Sequence, residues 1–318
     1  MPAIQLSAIL GVNSDTEVRL VGELEVLGAW RAEKGLLLTR QSQHKSSMVP
    51  SYFSATVELP DVESFLCKLV KIDDGKVEWE GISSKDNRRV HLRPSDMPTS
   101  ALTLPYDASA VVKGVYSPPP LRFYVDELET EHAITSRYYS WVRGAYGMDF
   151  DKVLPRVLVG TCPLSEEHIK TLRSEQGVTT VLNFQTHEDL IKNWIRAQTD
   201  PVSVRSEAAY YETYDRLGVK VVWYPTTDIS TVARGRTMAQ AALILHALLS
   251  RSGTEIVYVH CNAGVGRSAG CVLSYLRIYH KLSSIECHHW MSSRRPVAYV
   301  DVEATEFAVN DYVRKFVK

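Results

Sequence analysis

The sequence predicts two domains of different class: an all-β sandwich over residues 1–124, and an α/β domain with a mainly parallel central sheet over 137–318, joined by a connector at 125–136. Three observations carry that prediction. The first part alternates apolar and polar residues with a period of two and holds no amphipathic helix. The second alternates short apolar runs with helical patterns, which is how a parallel sheet is threaded. A chain of 318 residues has room for two ordinary domains.

Taken in order, "EVRLVGELEVL" (17–27), "YFSATVEL" (52–59) and "FLCKLVKI" (65–72) read as half-buried strands. Turn chemistry such as "DDG" (73–75) separates them, and "SPPP" (117–120) closes the β domain because consecutive prolines cannot continue a ladder. The acidic stretch "VDELETEHAI" (125–134) reads as the connector. Beyond it, "RVLVGT" (156–161), "VTTVLNF" (178–184), "VKVVWYP" (219–225) and "EIVYVH" (255–260) are buried-strand candidates. Between them "SEEHIKTLRSEQG" (165–177) and "TMAQAALILHALLSRSG" (237–253) have helical spacing and terminal glycines.

A net charge of −1 gives no broad basic footprint, which argues against nucleic acid and anionic membrane surfaces as partners. No apolar stretch approaches membrane-spanning length, and the apolar start "MPAIQLSAILGV" reads as structure instead of a signal peptide. The cysteines, at 67, 162, 261, 271 and 287, are odd in number and lack metal-like pairs. They fit reduced thiols in the cytosol, with no metal and no cofactor.

The segment that carries chemistry is "HCNAGVGRSAG" (260–270), placed between an apolar run and a helix. Gly264 and Gly266 let the backbone curl so that successive N–H groups of Asn262, Ala263, Gly264, Val265 and Gly266 form an anion nest. The helix starting near Ser268 adds its positive end. Cys261, at the foot of that field, is placed to attack as a thiolate. Arg267 can fork two phosphate oxygens. Ser268 is placed to support the thiolate when it departs. In-line displacement also needs a proton for the leaving oxygen, and Asp228 in "WYPTTDIS" (223–230) lies just past a strand end. A lone loop aspartate is commonly a turn former or cap; Cys261 and Arg267 single this one out.

These residues resemble the dual-specificity branch of the cysteine phosphatases. The loop is closer still to the glucan phosphatases, whose signature Cys-x-Ala-Gly-x-Gly-Arg is met by Cys261, Ala263, Gly264, Gly266 and Arg267. Phosphoinositide phosphatases of this class carry lysines inside the loop. Here Asn262 and Val265 stand there, which argues for a weakly charged substrate. The resemblance implies that Thr186, Asp189, Ile229 and Tyr299 touch the glucan at the active site, with Ile229 standing where the family has methionine.

In the first domain, "VGELEVLGAW" (21–30), "FLCKLVKIDDGKVEWEG" (65–81) and "SSKDNRRV" (83–90) resemble family-20 carbohydrate-binding modules. That resemblance implies glucan contacts at Trp30, Lys68, Trp79 and Asp86, with Phe53 as a further aromatic contact. Indole faces suit the C–H face of a glucose ring, and Lys and Asp suit its hydroxyls. A tryptophan in a sandwich is commonly core, but the resemblance, which matches the module in the order and spacing of all four residues, implies contacts.

The reading is a cytoplasmic, glycogen-associated glucan phosphatase that works through a cysteinyl-phosphate intermediate. Its rivals are a protein phosphatase merely docked to glycogen, and a scaffold with a vestigial catalytic domain. The resemblance also implies a homodimer, and association with other glycogen-metabolism proteins, a ubiquitin ligase among them.

Overall fold

The computed structural model describes residues 3–41, 49–81, 87–92, 102–104, 107–112, 121–122, 131–145, 147–195 and 206–317. The first seven strands are β1 (Ala3–Leu10), β2 (Glu17–Gly22), β3 (Leu36–Arg40), β4 (Ser51–Glu58), β5 (Ser64–Asp73), β6 (Lys76–Trp79) and β7 (Arg88–His91). Next come β8 (Leu102–Leu104) paired with β9 (Asp107–Val112), and then β10 (Leu121–Arg122). Asp86 and the 117–120 prolines lie outside the described residues.

Apart from the β8–β9 pair, these strands make one curled sheet in the order β10-β1-β4-β3-β2-β5-β6, with β7 also on β5; every pair in it is antiparallel except β1 with β10. Curling lets the sheet enclose its own inner face, where Leu6, Ala8, Val18, Leu20, Phe65, Cys67 and Leu69 form the core. The β5–β6 hairpin turns at Asp74 and Gly75, both with positive φ (47° and 76°), as a two-residue turn matched to strand twist requires.

The helices and remaining strands follow as α1 (Glu131–Ala145), β11 (Phe150–Leu154), β12 (Val157–Gly160), α2 (Glu166–Ser174), β13 (Thr180–Asn183), α3 (His187–Leu190), α4 (Glu207–Arg216) and β14 (Lys220–Trp223). Then come α5 (Thr231–Arg251), β15 (Val257–His260), α6 (Arg267–Tyr279), α7 (Ser284–Arg294) and α8 (Val302–Phe316). A π-helical turn, Ile191–Ile195, follows α3. The second sheet runs β11-β12-β15-β13-β14, parallel except at the added edge strand β11. Helices α5, α6 and α8 pack together. A separate core of Leu158, Ile169, Leu172, Val181, Tyr210, Tyr214 and Tyr258 joins α2 and α4 to the strands.

The α/β sheet matches the expected layer, and its four parallel strands fall within the expected runs. Three details differ from the sequence reading. Helix α1 begins inside the stretch 125–136 read as a connector. Residues 285–297, with most of α7, group with the β unit, although 137–318 was read as one domain. The helix expected over 237–253 starts earlier, at Thr231, with Ser230 capping it by accepting from Ala233 N at 3.1 Å. Gly235 masked that start in the sequence; in the fold its bare Cα admits the Phe307 ring, where a Cβ would come within 3.0 Å.

Candidate active site

β15 is the middle strand of the parallel sheet, and Cys261 emerges from its carboxyl end, where open α/β sheets bind ligands. All four β15 residues are buried, so the strand end is fixed by packing on both faces. The loop then turns at Gly264, whose φ of 68° favours glycine, and α6 starts directly at Arg267 behind an N-cap Gly266. Gly266 is required for space as well: a Cβ there would collide with the Glu131 carboxylate. Cys261 is 3% exposed, with Ser268 Oγ 3.5 Å from its sulfur.

His260 lies under the loop, wholly buried. Its Nδ1 is 2.9 Å from the Cys261 carbonyl, which can only accept, so Nδ1 carries the proton. Burial and the nearby Arg267 push this histidine down to about 4, and it stays neutral at physiological pH. Cys162 lies beside the loop, its N–H donating to the Asn262 carbonyl at 2.8 Å, and burial pushes its thiol up to about 12.

Arg267 is fully buried and charged. Its Nη1 donates to Asp189 Oδ2 at 2.7 Å and to the carbonyls of Thr226 and Phe184 at 3.0 and 3.2 Å. Its Nη2 is 2.7 Å from Asp228 Oδ2, an ion pair whose angle makes no hydrogen bond, and Nε has no hydrogen-bond partner among the described residues. Two orphaned donors on one edge of a buried guanidinium are costly unless they serve a ligand. Their fork fits two oxygens of a phosphate.

The two carboxylates that hold Arg267 come from different elements. Asp189 is in α3, where Thr186 and Asp189 form a capping box. Burial pushes the Asp189 carboxyl up, but Arg267, Asn262 and the Thr186 N–H outweigh it and hold it below the usual range. Asp228 follows β14 in the turn before α5, its carboxylate about one-third exposed. Ile229, next to it, takes a φ of 49°, costly for a β-branched residue and a mark of a constrained loop.

The structure thus gathers Cys261, Arg267, Ser268, Asp228 and Asp189 in one cluster of the α/β unit. Of the expected glucan contacts there, Ile229 is 42% exposed. Tyr299 is half-buried, its N–H donating to the Val265 carbonyl at 2.9 Å and its ring lying 5.8 Å from the Arg234 guanidinium. Thr186 spends its oxygen on the cap, and Asp189 serves the Arg267 clamp.

The sequence reading missed a set of supporting residues. Arg234 in α5, itself fully buried, forks Glu131 (2.7 and 2.9 Å) and reaches Asp301 (2.9 and 2.5 Å). Burial works against that arginine, and the two carboxylates more than restore it. Asp301 caps α8 and accepts from the Thr231 hydroxyl at 2.9 Å. Gln185 and Asn193 were missed as well. Only the Thr186-x-x-Asp189 capping pattern was visible as a local signal.

On the β unit, register puts the expected glucan contacts on one face. Lys68 is opposite Val21 and Trp79 is opposite Val70, so all four point away from the core formed by Phe65, Cys67 and Leu69. Trp30 packs on Val21 and Val70 of that same outer face. Its φ of 63° is held by its N–H donating to the Gly22 carbonyl at 2.9 Å. Trp79 is 37% exposed, whereas Lys68 is nearly covered and donates to the Glu80 carbonyl at 2.9 Å. Phe53 is a correction. It is 2% exposed within the inner core, stacked under Arg40, and cannot reach a sugar.

Comparison with known proteins finds a family match in each part of the chain. Residues 149–300 match the family described as Swiss Army Knife protein, DSP-PTPase phosphatase domain, and residues 3–100 match Starch binding domain. Mouse laforin is 29% identical over 95% of this chain and 92% of its own length. Phosphoglucan phosphatase LSF1 of Arabidopsis thaliana and phosphoglucan phosphatase DSP4 of Castanea sativa are each 28% identical over 54% and 48% of this chain, which spans only 24% and 38% of their lengths. Among solved structures, PTPMT1 aligns with 52% of this chain and 98% of its own, at 22% identity and a TM-score of 0.39.

Proposed function

We propose that this chain, which joins a starch-binding domain to a cysteine-dependent phosphatase domain of the dual-specificity type, hydrolyses phosphate monoesters on glycogen-like α-glucans. The observation that carries the reading is the presence in one chain of a lysine-free phosphate loop and a starch-binding domain, in a chain similar to laforin over nearly its whole length. Two plant relatives, similar over about half of this chain, are named as phosphoglucan phosphatases.

The chemistry follows from the pocket. The Cys261 thiolate attacks phosphorus in line, forming the S–P bond as the P–O bond to the sugar breaks. The orphaned Nε and Nη2 of Arg267 take two phosphate oxygens, and the loop N–H groups take the charge that develops. Asp228, carrying a proton, gives it to the departing sugar oxygen. A water then attacks the phosphocysteine while the Asp228 carboxylate takes its proton, and Ser268 Oγ donates to the leaving sulfur. An arriving phosphate dianion competes with Asp228 for Arg267 and so draws the carboxyl out of its ion pair.

The outer β face would hold the polymer through Trp79 and Trp30 while the loop works on its phosphates. A cytoplasmic, glycogen-bound location, a homodimer and further glycogen-metabolism partners belong to the same proposal. The test is phosphate release from phosphorylated glycogen by the wild type and by Cys261→Ser. The variant should release none yet still co-sediment with glycogen. Turnover retained by Cys261→Ser removes the covalent route. A wild type active on phosphopeptides and inert on glycogen replaces the substrate with phosphoprotein.

A further inference from the structure

Asn262, the residue after the nucleophile, offers more than its backbone. Its carboxamide fills all four of its hydrogen-bonding positions. Oδ1 accepts from Gln185 Nε2 at 3.0 Å and from Asn193 Nδ2 at 2.9 Å. Nδ2 donates to Asp189 Oδ1 at 2.7 Å and, more weakly, to Asp228 Oδ2 at 3.4 Å.

The orientation of this amide is dictated from both sides. An ionised carboxylate only accepts, so the NH2 end must face Asp189, whose carboxyl Arg267 holds below the usual range. On the other side, Asn193 Oδ1 is taken by the Tyr139 hydroxyl at 3.0 Å, and its Nδ2 also donates to the Asp189 carbonyl at 2.9 Å. Asn193 can therefore present only an N–H to Asn262. Gln185 is held at its own backbone: its N–H donates to Asn183 Oδ1 at 2.8 Å and its carbonyl accepts from the Trp223 indole at 2.6 Å. Both partners are 2% exposed, and Asn193 sits in the π-helical turn, a distortion frequent at functional sites.

We propose that the Asn262 side chain is a positioning residue that ties the nucleophile loop to Asp228 and to the Asp189 clamp on Arg267. The two carboxylates it holds are the two that pair with Arg267, each at 2.7 Å. When a phosphate takes the Arg267 fork, Asp228 gives up that ion pair. The Asn262 amide then keeps the carboxyl over the leaving oxygen, and in the second half-reaction its N–H supports the carboxylate acting as base. Gln185 and Asn193 act one step further out, by keeping the amide from turning over.

The inference rests on Asp228 being the acid, and the experiment separates the two. Asn262→Ala, Asp228→Asn and the double variant are assayed on a phosphorylated maltooligosaccharide and on para-nitrophenyl phosphate, whose phenol leaves without a proton. Asn262→Ala should lose about tenfold more kcat on the sugar phosphate than on the aryl ester, within the range of general acid catalysis. In the Asp228→Asn background it should cost no more than about a further twofold on the sugar phosphate, since coupled residues are not additive. Equal losses on both substrates, or full additivity with Asp228→Asn, overturn the inference and leave Asn262 a packing residue. If Asp228→Asn itself shows no leaving-group dependence, the acid assignment and the inference fall together, and Asp189 becomes the acid to test. Should Asn262→Ala fail to fold, Asn262→Thr, similar in bulk but without the amide, carries the same comparison.

Discussion

On the β unit, Lys68, Val70 and Trp79 reach one face because strand side chains alternate and β5 pairs β6 in register. In the α/β unit, Cys261, Arg267, Asp189, Asp228, Glu131, Arg234 and Asp301 come from separate elements spread over about 170 residues and meet around one loop. The first surface is a periodic pattern with a partly exposed aromatic. The second is an assembly of charges, most of them buried, held by partners from elsewhere in the chain. An exposed aromatic on a face of the first kind, such as Trp79, can change without disturbing the fold under it. A site of the second kind cannot, because its charges are supports as well as tools.

The largest effect expected from that contrast is at Arg234. Arg234→Met leaves Glu131 and Asp301 buried without their cation, and breaking such a pair costs about 3–5 kcal/mol. Urea unfolding of the full chain should show the loss in the phosphatase transition, with phosphatase activity falling alongside. An unchanged midpoint would mean that the carboxylates find other partners, and that the site is less dependent on its supports than its geometry implies.

His260 offers a smaller effect with a defined sign. Its folded pKa, about 4, lies below that of a free histidine at about 6.5. Between those values the unfolded chain takes up a proton that the folded one refuses. Stability is therefore full above pH 6.5 and is lost as pH falls toward 4, by at most about 3 kcal/mol from this residue. His260→Asn keeps a donor for the Cys261 carbonyl and removes the titration. Its unfolding free energy should depend less steeply on pH than the wild type's across that window. Parallel curves would show that the ring protonates in place.

The smallest effects lie on the β face, and there the two tryptophans should part. Trp79→Ala should weaken glycogen binding by about 1–3 kcal/mol, measured by co-sedimentation, and leave unfolding and aryl-phosphate hydrolysis nearly unchanged. Trp30, packed on Val21 and Val70 with a strained backbone, should cost stability as well as binding when cut to alanine. If Trp79→Ala lowers the unfolding midpoint as much as Trp30→Ala does, the outer face is core and the contrast between the two regions fails.

Phe53 and Asp228 show the boundary between what is local and what is not. The sequence by itself determined the order of the two domains, the strand runs, the Asp74–Gly75 turn, and the loop from Cys261 to Arg267. Each of these depends on residues adjacent in the chain: side-chain alternation, positive φ, glycine spacing, and a helix start one turn from the nucleophile. The tertiary structure decided which face of β4 turns inward, and so made Phe53 core. It also packs Phe307 from α8 against Gly235, a contact that supports the weak helical first turns of α5 beyond the Ser230 cap. Only the fold could bring Glu131 and Asp301 to Arg234, or Gln185, Asn193 and Asp189 to Asn262. Ion pairs and amide orientations between residues 67 to 103 positions apart leave no periodicity in a sequence; they exist once burial makes an unpaired charge or amide too costly to leave alone.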